Sequence, residues 1–225
     1  MKKPVIIALM GSPRDRSNTD ILTDIAIEHA EKAGAAVHKF SVSTINIEPC
    51  IGCLRCNMLG KCANTKDAWT DFAFKWREAD GLLLAAPVYF HGLPGQMKCI
   101  LDRFRSFLHV KMGMEKLDYG PRPYKSKNAA IILVQGEPSG DDYRSALDTL
   151  EFFVNKMCGG LVTGHLVGTS LAVRGQINMT RGQLAELGEK MGWSEDYHDK
   201  LIALYQTQKA AARDLGRALV ESLRK

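Results

Sequence analysis

A chain of 225 residues has room for one α/β domain with a full core and is short for two. With 45% hydrophobic residues it is not a disordered chain, and no apolar stretch approaches the roughly 18 residues of a membrane span. The formal charge of +5 is mild and no long Lys/Arg block occurs, which argues against a nucleic-acid partner, while a basic surface suits acidic protein partners. Met1-Lys2-Lys3 before Pro4–Met10 has the outline of a secretory leader, but the apolar run is short, leads into Asp15 and Arg16, and lacks an A-x-A site. A cytoplasmic protein is expected, its six cysteines serving as reduced thiols or metal ligands.

Val5–Met10 is apolar throughout and predicts a first strand buried on both faces. It feeds the turn Gly11-Ser12-Pro13-Arg14-Asp15-Arg16-Ser17-Asn18-Thr19, and a helical pattern leaves that turn from about Asp20 to Ala33. A strand that runs through small hydroxylated residues into a helix N-terminus is a ready anion site, with unpaired N–H groups and a partial positive charge. Ser12, Ser17 and Thr19 bring hydroxyl donors, Asn18 an amide, and Arg14 or Arg16 a cation. The same residues also read as an N-capping turn that binds nothing. Neither G-x-x-x-x-G-K-[ST] nor G-x-G-x-x-G is present, which leaves a monophosphate as ligand and flavin mononucleotide (FMN) as the leading candidate.

Ala36–Val42 predicts strand two. Then comes Cys50-x2-Cys53-x2-Cys56-x5-Cys62. Four thiolates in one short loop can converge, and three at successive spacings of three suit a [4Fe–4S] cluster. A structural zinc site usually separates two C-x2-C pairs by a longer finger, so zinc ranks below a cluster. A loop of bare reduced thiols is the other reading, and Cys62 is followed by Ala63 rather than proline. Cys99 and Cys158, in helical segments, read as buried inert thiols.

Asp67–Glu78 reads as a short helix and Gly81–Pro87 as strand three. A long helix follows, with Met97, Ile100, Leu101, Phe104, Phe107 and Leu108 in one apolar stripe. Gly113–Lys127 is a polar connector, Asn128–Val134 strand four, Asp141–Met157 an amphipathic helix, and Leu161–Val167 strand five. The alternation predicts a flavodoxin-like α/β three-layer sandwich with a parallel sheet in the order 2-1-3-4-5. Ligands of such sheets sit at the carboxyl ends of the strands. The Ser12 turn, Pro87-Val88-Tyr89-Phe90-His91-Gly92 and Gln135-Gly136-Glu137 all lie there. Tyr89 or Phe90 can wall an isoalloxazine ring, with backbone N–H groups for its carbonyls; the alternative is a pair of core aromatics. His91 is either a donor to flavin or substrate or a solvated loop residue. Gly136 by itself marks only a turn.

Gly11-Ser12-Pro13-Arg14-x-x-Ser17-Asn18-Thr19 resembles the phosphate loop of the flavodoxin-like NAD(P)H-dependent FMN reductases. Ala86-Pro87-Val88-Tyr89-Phe90 with Lys98-x-x-x-Asp102-Arg103 resembles that family's second signature. The likeness covers most of the first ~170 residues. It implies FMN as cofactor, NAD(P)H as a possible donor, and a flavin-edge contact for Gln135, Gly136 and Glu137. The Lys98, Asp102 and Arg103 positions read as structural, an Asp–Arg pair locking the helix to a neighbour. The cysteine loop resembles that of the iron–sulfur flavoproteins, a branch of the same group. The function expected is electron passage between FMN and a [4Fe–4S] cluster or an external partner, a ferredoxin or a small molecule. The alternatives are an NAD(P)H-dependent FMN or quinone reductase without a cluster, and a non-catalytic flavin-binding sensor.

Residues 1–192 are expected to form the flavin-binding domain, and 193–225 a helical extension of the same compact unit. Glu195–Leu223 reads as one long helix whose apolar stripe (Leu201, Leu204, Tyr205, Ala212, Leu215, Ala218, Leu219, Leu223) either packs back on the domain or makes a subunit contact. That stripe, the apolar side chains expected near water at Tyr89, Phe90, Ile51 and Leu54, and the resemblance lead to a homo-oligomer, dimer or tetramer.

Overall fold

The structure, a computed structural model, describes residues 3–224. Met1 and Lys2, where the leader-like outline begins, lie outside the described residues. In chain order the elements are β1 (Val5–Met10), α1 (Asn18–Lys32), β2 (Ala36–Ser41), α2 (Cys56–Leu59), α3 (Trp69–Glu78), β3 (Gly81–Pro87) and α4 (Gly95–Arg103). Then follow β4 (Leu108–Met112), β5 (Leu117–Pro121), β6 (Asn128–Val134), α5 (Arg144–Phe152), β7 (Val162–Gly168), α6 (Arg181–Met191) and α7 (Glu195–Ser222).

Five strands pair in parallel in the order β2-β1-β3-β6-β7. With the separate antiparallel hairpin β4–β5 set aside, this is the 2-1-3-4-5 order predicted for a flavodoxin-like sheet. Alternate residues of each central strand enter opposite cores, as the two-residue period requires. Ile7, Leu9, Leu82, Leu84, Ile131 and Leu133 face the layer of α3, α4 and α5. Ile6, Ala8, Leu83, Ala85, Ala130 and Ile132 face α1 and α7. Both faces are covered, which is why these strands are apolar along almost their whole length. The first layer is aromatic: Trp69, Phe72, Trp76, Phe104 and Phe153 meet in tilted and edge-to-face pairs 4.4–6.0 Å apart.

Three local expectations change. The stripe read as one helix through Leu108 leaves α-helical geometry at Arg103 and tightens into a 3₁₀ turn, Phe104–Phe107. The buried Ser106 hydroxyl donates to the Arg103 carbonyl at 3.0 Å, taking an acceptor that a continuing helix would use. The connector Gly113–Lys127 contains the second strand of the β4–β5 hairpin, with Val110 opposite Tyr119 and the Gly113 amide closing on the Lys116 carbonyl at 3.0 Å. An eleven-residue helix, α6, precedes the extension; its capping box is Thr180 with Gln183.

Helix α7 packs back on its own domain. Leu201, Tyr205, Ala212, Leu215 and Leu219 are buried with Leu22 and Ala26 of α1 and Leu166 of β7, while Ala218 faces solvent. The stripe is therefore internal and no longer argues for a subunit contact. Among the described residues no helix is long and apolar enough to cross a membrane.

The α1–α7 crossing is close because Gly216 has no side chain; a Cβ there would strike the Ala26 carbonyl, a backbone atom. Gly216→Ala is expected to destabilise the fold by about 1–3 kcal/mol through overpacking, despite alanine's better helix propensity. Urea unfolding checks this, and a gain in stability would contradict the close crossing.

Candidate functional site

The turn after β1 starts where the sheet ladder ends. The Gly11 amide donates to the Ala85 carbonyl at 2.6 Å, which extends the β1–β3 pairing by one residue. A side chain at Gly11 would strike the Met97 sulfur and crowd the Ala85 carbonyl, so it would force Met97 to shift. Ser17 caps α1, its Oγ accepting from the Asp20 amide at 3.1 Å. Capping uses the oxygen as acceptor and leaves the hydroxyl hydrogen to donate, so the capping and anion-binding readings are compatible. Ser12 Oγ lies 3.2 Å from the Arg14 amide and 3.3 Å from its carbonyl. Ser12, Ser17 and Thr19 are buried, and Arg14 and Arg16 are exposed.

Asn18 takes another role from the one expected. Its Nδ2 donates to the Leu171 and Val173 carbonyls at 3.0 and 2.7 Å, and its Oδ1 accepts from the Ile177 amide at 3.1 Å. All three of these side-chain contacts face the segment after β7, so the Asn18 side chain ties that segment to the turn, while its backbone N–H opens α1.

After β3, Val88 donates to the Val134 carbonyl at 2.8 Å, and Tyr89 and Gly92 exchange two backbone hydrogen bonds at 3.0 and 2.9 Å. Phe90 (φ 48°) and His91 (φ 63°) between them are both left-handed, the pattern of a type I′ turn made without glycine. That conformation costs an L-residue roughly 1–2 kcal/mol. The turn thrusts Phe90 fully into solvent, and Tyr89 is also exposed, which excludes the core-aromatic reading. His91 Nδ1 stands 3.6 Å from Asp142 Oδ1, so the turn reaches the loop that precedes α5. Pro87 closes β3, where it pairs with Val134.

The third loop starts at Gln135, whose amide donates to the Gly168 carbonyl at 2.8 Å and whose Nε2 donates to the Glu137 carbonyl at 3.2 Å. Its Oε1 is buried and has no hydrogen-bond partner among the described residues. Gly136 and Glu137 are exposed beside it. A buried acceptor without a donor costs free energy unless a ligand supplies one.

The cysteine loop is held from below by Arg103. Its Nη1 donates to the Glu48 carbonyl at 2.8 Å and to Asp67 Oδ2 at 2.7 Å; its Nη2 donates to the Asn64 carbonyl at 3.0 Å. One guanidinium thus ties the chain entering the loop to the chain leaving it. Arg103 and Asp67 side chains are 1% and 2% exposed, a pair fully withdrawn from water. The guanidinium also lies over the Trp69 ring, 5.2 Å from its centroid. Burial alone would raise the Asp67 pKa; the hydrogen bonds from Arg103 and from the Glu48 and Trp69 amides outweigh it and hold the carboxyl below its usual value. The expected Asp–Arg lock exists, but with Asp67; Asp102 pairs with Lys98 at 2.6 Å.

Cys50, Cys53, Cys56 and Cys62 line one small cavity of about 30 Å³ together with Arg103 and Arg105. Cys50 and Cys53 are exposed, Cys56 buried and Cys62 partly buried. Arg105 Nη1 stands 4.0 Å from Cys56 Sγ, and Arg122 Nη2 donates to the Cys56 carbonyl at 3.0 Å. The donor set suits iron and sulfide, yet among the described residues no three His, Cys, Asp or Glu side chains are arranged as a metal site. Cys158 is buried as expected, which pushes its thiol pKa up, whereas Cys99 is only partly buried. Sequence reasoning placed Asp67 inside the helix and missed its role; the helix starts at Trp69, and Asp67 ahead of it accepts from the Trp69 amide at 3.1 Å.

The model of the NADPH-dependent FMN reductase family matches residues 4–163, which hold all three loops and the four cysteines. The chain belongs to that family. It is 37% identical over 100 residues to an iron–sulfur flavoprotein of Methanocaldococcus jannaschii, covering 44% of this chain and 51% of the relative. The matched stretch spans about half the length of this and two further iron–sulfur flavoproteins that it matches, 51–53%. Among solved structures, the NAD(P)H:quinone oxidoreductase from Methanothermobacter marburgensis superposes with a TM-score of 0.63 at 13% identity, covering 96% of this chain and 98% of that one. An FMN-dependent NADH-azoreductase from Bacillus anthracis, in complex with FMN, gives 0.60 at 10% identity, covering 96% and 100%. These two likenesses establish the shared fold.

Arg103→Met would leave the Asp67 charge buried without its cation, at a cost of about 3–5 kcal/mol near neutral pH. Because the folded-state pKa of Asp67 is lowered, its stabilising contribution is complete above the ordinary carboxylate pKa. It is lost as pH falls through the folded value. Denaturant unfolding of both proteins should therefore show a wide gap at neutral pH that narrows in acid, and a pH-independent gap would contradict the assignment.

Proposed function

We propose that this chain is a flavin-dependent oxidoreductase that holds FMN across the carboxyl edge of its sheet and an iron–sulfur cluster in its cysteine loop. The observation that carries the flavin reading is the unpartnered Gln135 Oε1 at the end of β6, a buried acceptor where the imide N–H of a flavin ring would satisfy it. Family membership supports FMN as the flavin.

In this reading Ser12, Ser17, Thr19 and the first amides of α1 receive the phosphate, with Arg14 at the rim. Pro87, Val88, Tyr89, Phe90, His91 and Gly92 border the ring on one side, and Gln135, Gly136 and Glu137 on the other. FMN, when bound, accepts a hydride or two electrons and releases them singly. The chain's own residues bind, orient and shield it, and the left-handed Phe90–His91 turn keeps an aromatic surface at the mouth. NAD(P)H is the proposed donor. Cys50, Cys53, Cys56 and Cys62 would ligate a [4Fe–4S] cluster, with Arg103 and Arg105 offsetting its negative charge. The names of the iron–sulfur flavoprotein relatives support this assignment. A ferredoxin or a small molecule is the proposed electron partner. A homo-oligomer is proposed on the exposure of Ile51, Leu54 and Phe90, which an adjoining copy would cover.

A second reading, a reductase without a cluster, is favoured by one observation: the described side chains do not form a metal site.

The phosphate contacts are tested by comparing FMN with riboflavin. Wild type should prefer FMN strongly. Ser17→Ala and Thr19→Ala each remove a donor to a charged group, about 1.5–3 kcal/mol, and should lower FMN affinity tenfold or more with little effect on riboflavin. Equal affinity of wild type for the two flavins, measured by fluorescence titration, would contradict the phosphate site.

A further inference from the structure

Beside the loop that follows β6 lies a cavity of about 200 Å³ that, among the described residues, shares only Gly136 with the flavin reading. Gly136 forms its rim. Ala172 and Val173, after β7, form one wall; Met191, Trp193 and Tyr197, from the end of α6 and the start of α7, form the other. The family match stops at residue 163, so both walls lie outside it.

The lining fixes the chemistry of an occupant. Among the described residues no charged side chain borders the cavity, which disfavours an ion. The Trp193 and Tyr197 rings meet edge to face, 5.1 Å apart at 75°, and the Met191 thioether adds a polarisable surface. The volume falls below the roughly 300 Å³ of a drug-sized pocket, which limits the occupant to one ring or a fused pair.

The wall is also wired to the candidate flavin loops. The Ser170 amide donates to the Glu137 carbonyl at 3.4 Å and the Leu171 amide to the Gln135 carbonyl at 3.1 Å. Asn18, in the phosphate turn, holds the Leu171 and Val173 carbonyls and the Ile177 amide. Ser170 itself is left-handed (φ 57°), and the buried Tyr205 hydroxyl donates to its carbonyl at 2.8 Å. One short segment, 170–177, therefore touches the cavity, the phosphate turn and the Gln135 loop.

We propose that this cavity binds a flat, uncharged aromatic ring and that its occupancy is coupled to FMN binding through the 170–177 segment. The coupling rests on the flavin reading above; the ring site does not.

The probe is 2-naphthol, titrated by calorimetry into the FMN-loaded protein, with 2-naphthoate as its charged counterpart. The expected result is saturable 2-naphthol binding and at least about tenfold weaker 2-naphthoate binding. Ala172→Phe, which fills the cavity from an exposed position, should abolish binding, and Trp193→Ala should weaken it about tenfold. FMN affinity should rise roughly fivefold or more when 2-naphthol is saturating. No binding to wild type, or undiminished binding to Ala172→Phe, overturns the site. Displacement of 2-naphthol by FMN also overturns it, because the ring then occupies the flavin cradle. Binding as expected with unchanged FMN affinity overturns the coupling. Should the protein bind no flavin, the same titration of the flavin-free chain still decides the ring site, so the two readings fail separately.

Discussion

The register of β1 against β3 sets where the rest of the candidate site stands. Met10 pairs with Ala85, and the Gly11 amide carries the ladder on to the Ala85 carbonyl. The turn after β1 thus leaves the sheet next to the loop after β3. On the other side of β3, Pro87 pairs with Val134, which brings the Gln135 loop into the same row. In a parallel sheet all these loops emerge at one edge, and the reversal of strand order between β1 and β3 turns that edge into a crevice. The helix N-terminus at Asn18 then faces a place where two neighbouring loops converge. The proposed anion site rests on this placement as much as on the hydroxyl side chains.

The cysteine loop depends on a different interaction. It follows β2, at the rim of the sheet, and has little apolar anchorage, with Ile51, Leu54 and Met58 exposed. What secures it is a buried cation. Arg103 satisfies two loop carbonyls and the Asp67 carboxylate at once. A buried ion pair contributes little net stability against an apolar replacement, but breaking it is costly. It therefore acts mainly as a geometric constraint that keeps the two ends of the loop together and its thiols around one cavity.

Much of this was legible in the sequence, and the parts that were not share a cause. The five sheet strands stood out because both faces are buried and their apolar runs are unbroken. The β4–β5 hairpin did not, because exposed Met112, Leu117 and Tyr119 give it no buried face and hence no alternation. Helix α6 carried a readable Thr180–Gln183 capping box that its weak apolar pattern obscured. Residue type alone could not say whether the Asn18 amide faces a phosphate or a backbone segment 153 or more positions away. Nor could it choose between Asp102 and Asp67 as the partner of Arg103, although adjacent helical residues do not face each other, which already weighs against Asp102. Cys50, Cys53, Cys56 and Cys62 line one cavity, as their closeness in sequence allows; their arrangement around a metal is a separate property that spacing does not determine.

The most direct test of the account is the flavin, iron and inorganic sulfide content of the full chain purified without oxygen. The account predicts FMN as the bound flavin, together with iron and sulfide in equal amounts that are lost when Cys53 is replaced by serine while FMN stays bound. Protein that carries FMN but neither iron nor sulfide would contradict the cluster and leave the plain reductase, and protein that binds no flavin would contradict the account at its root.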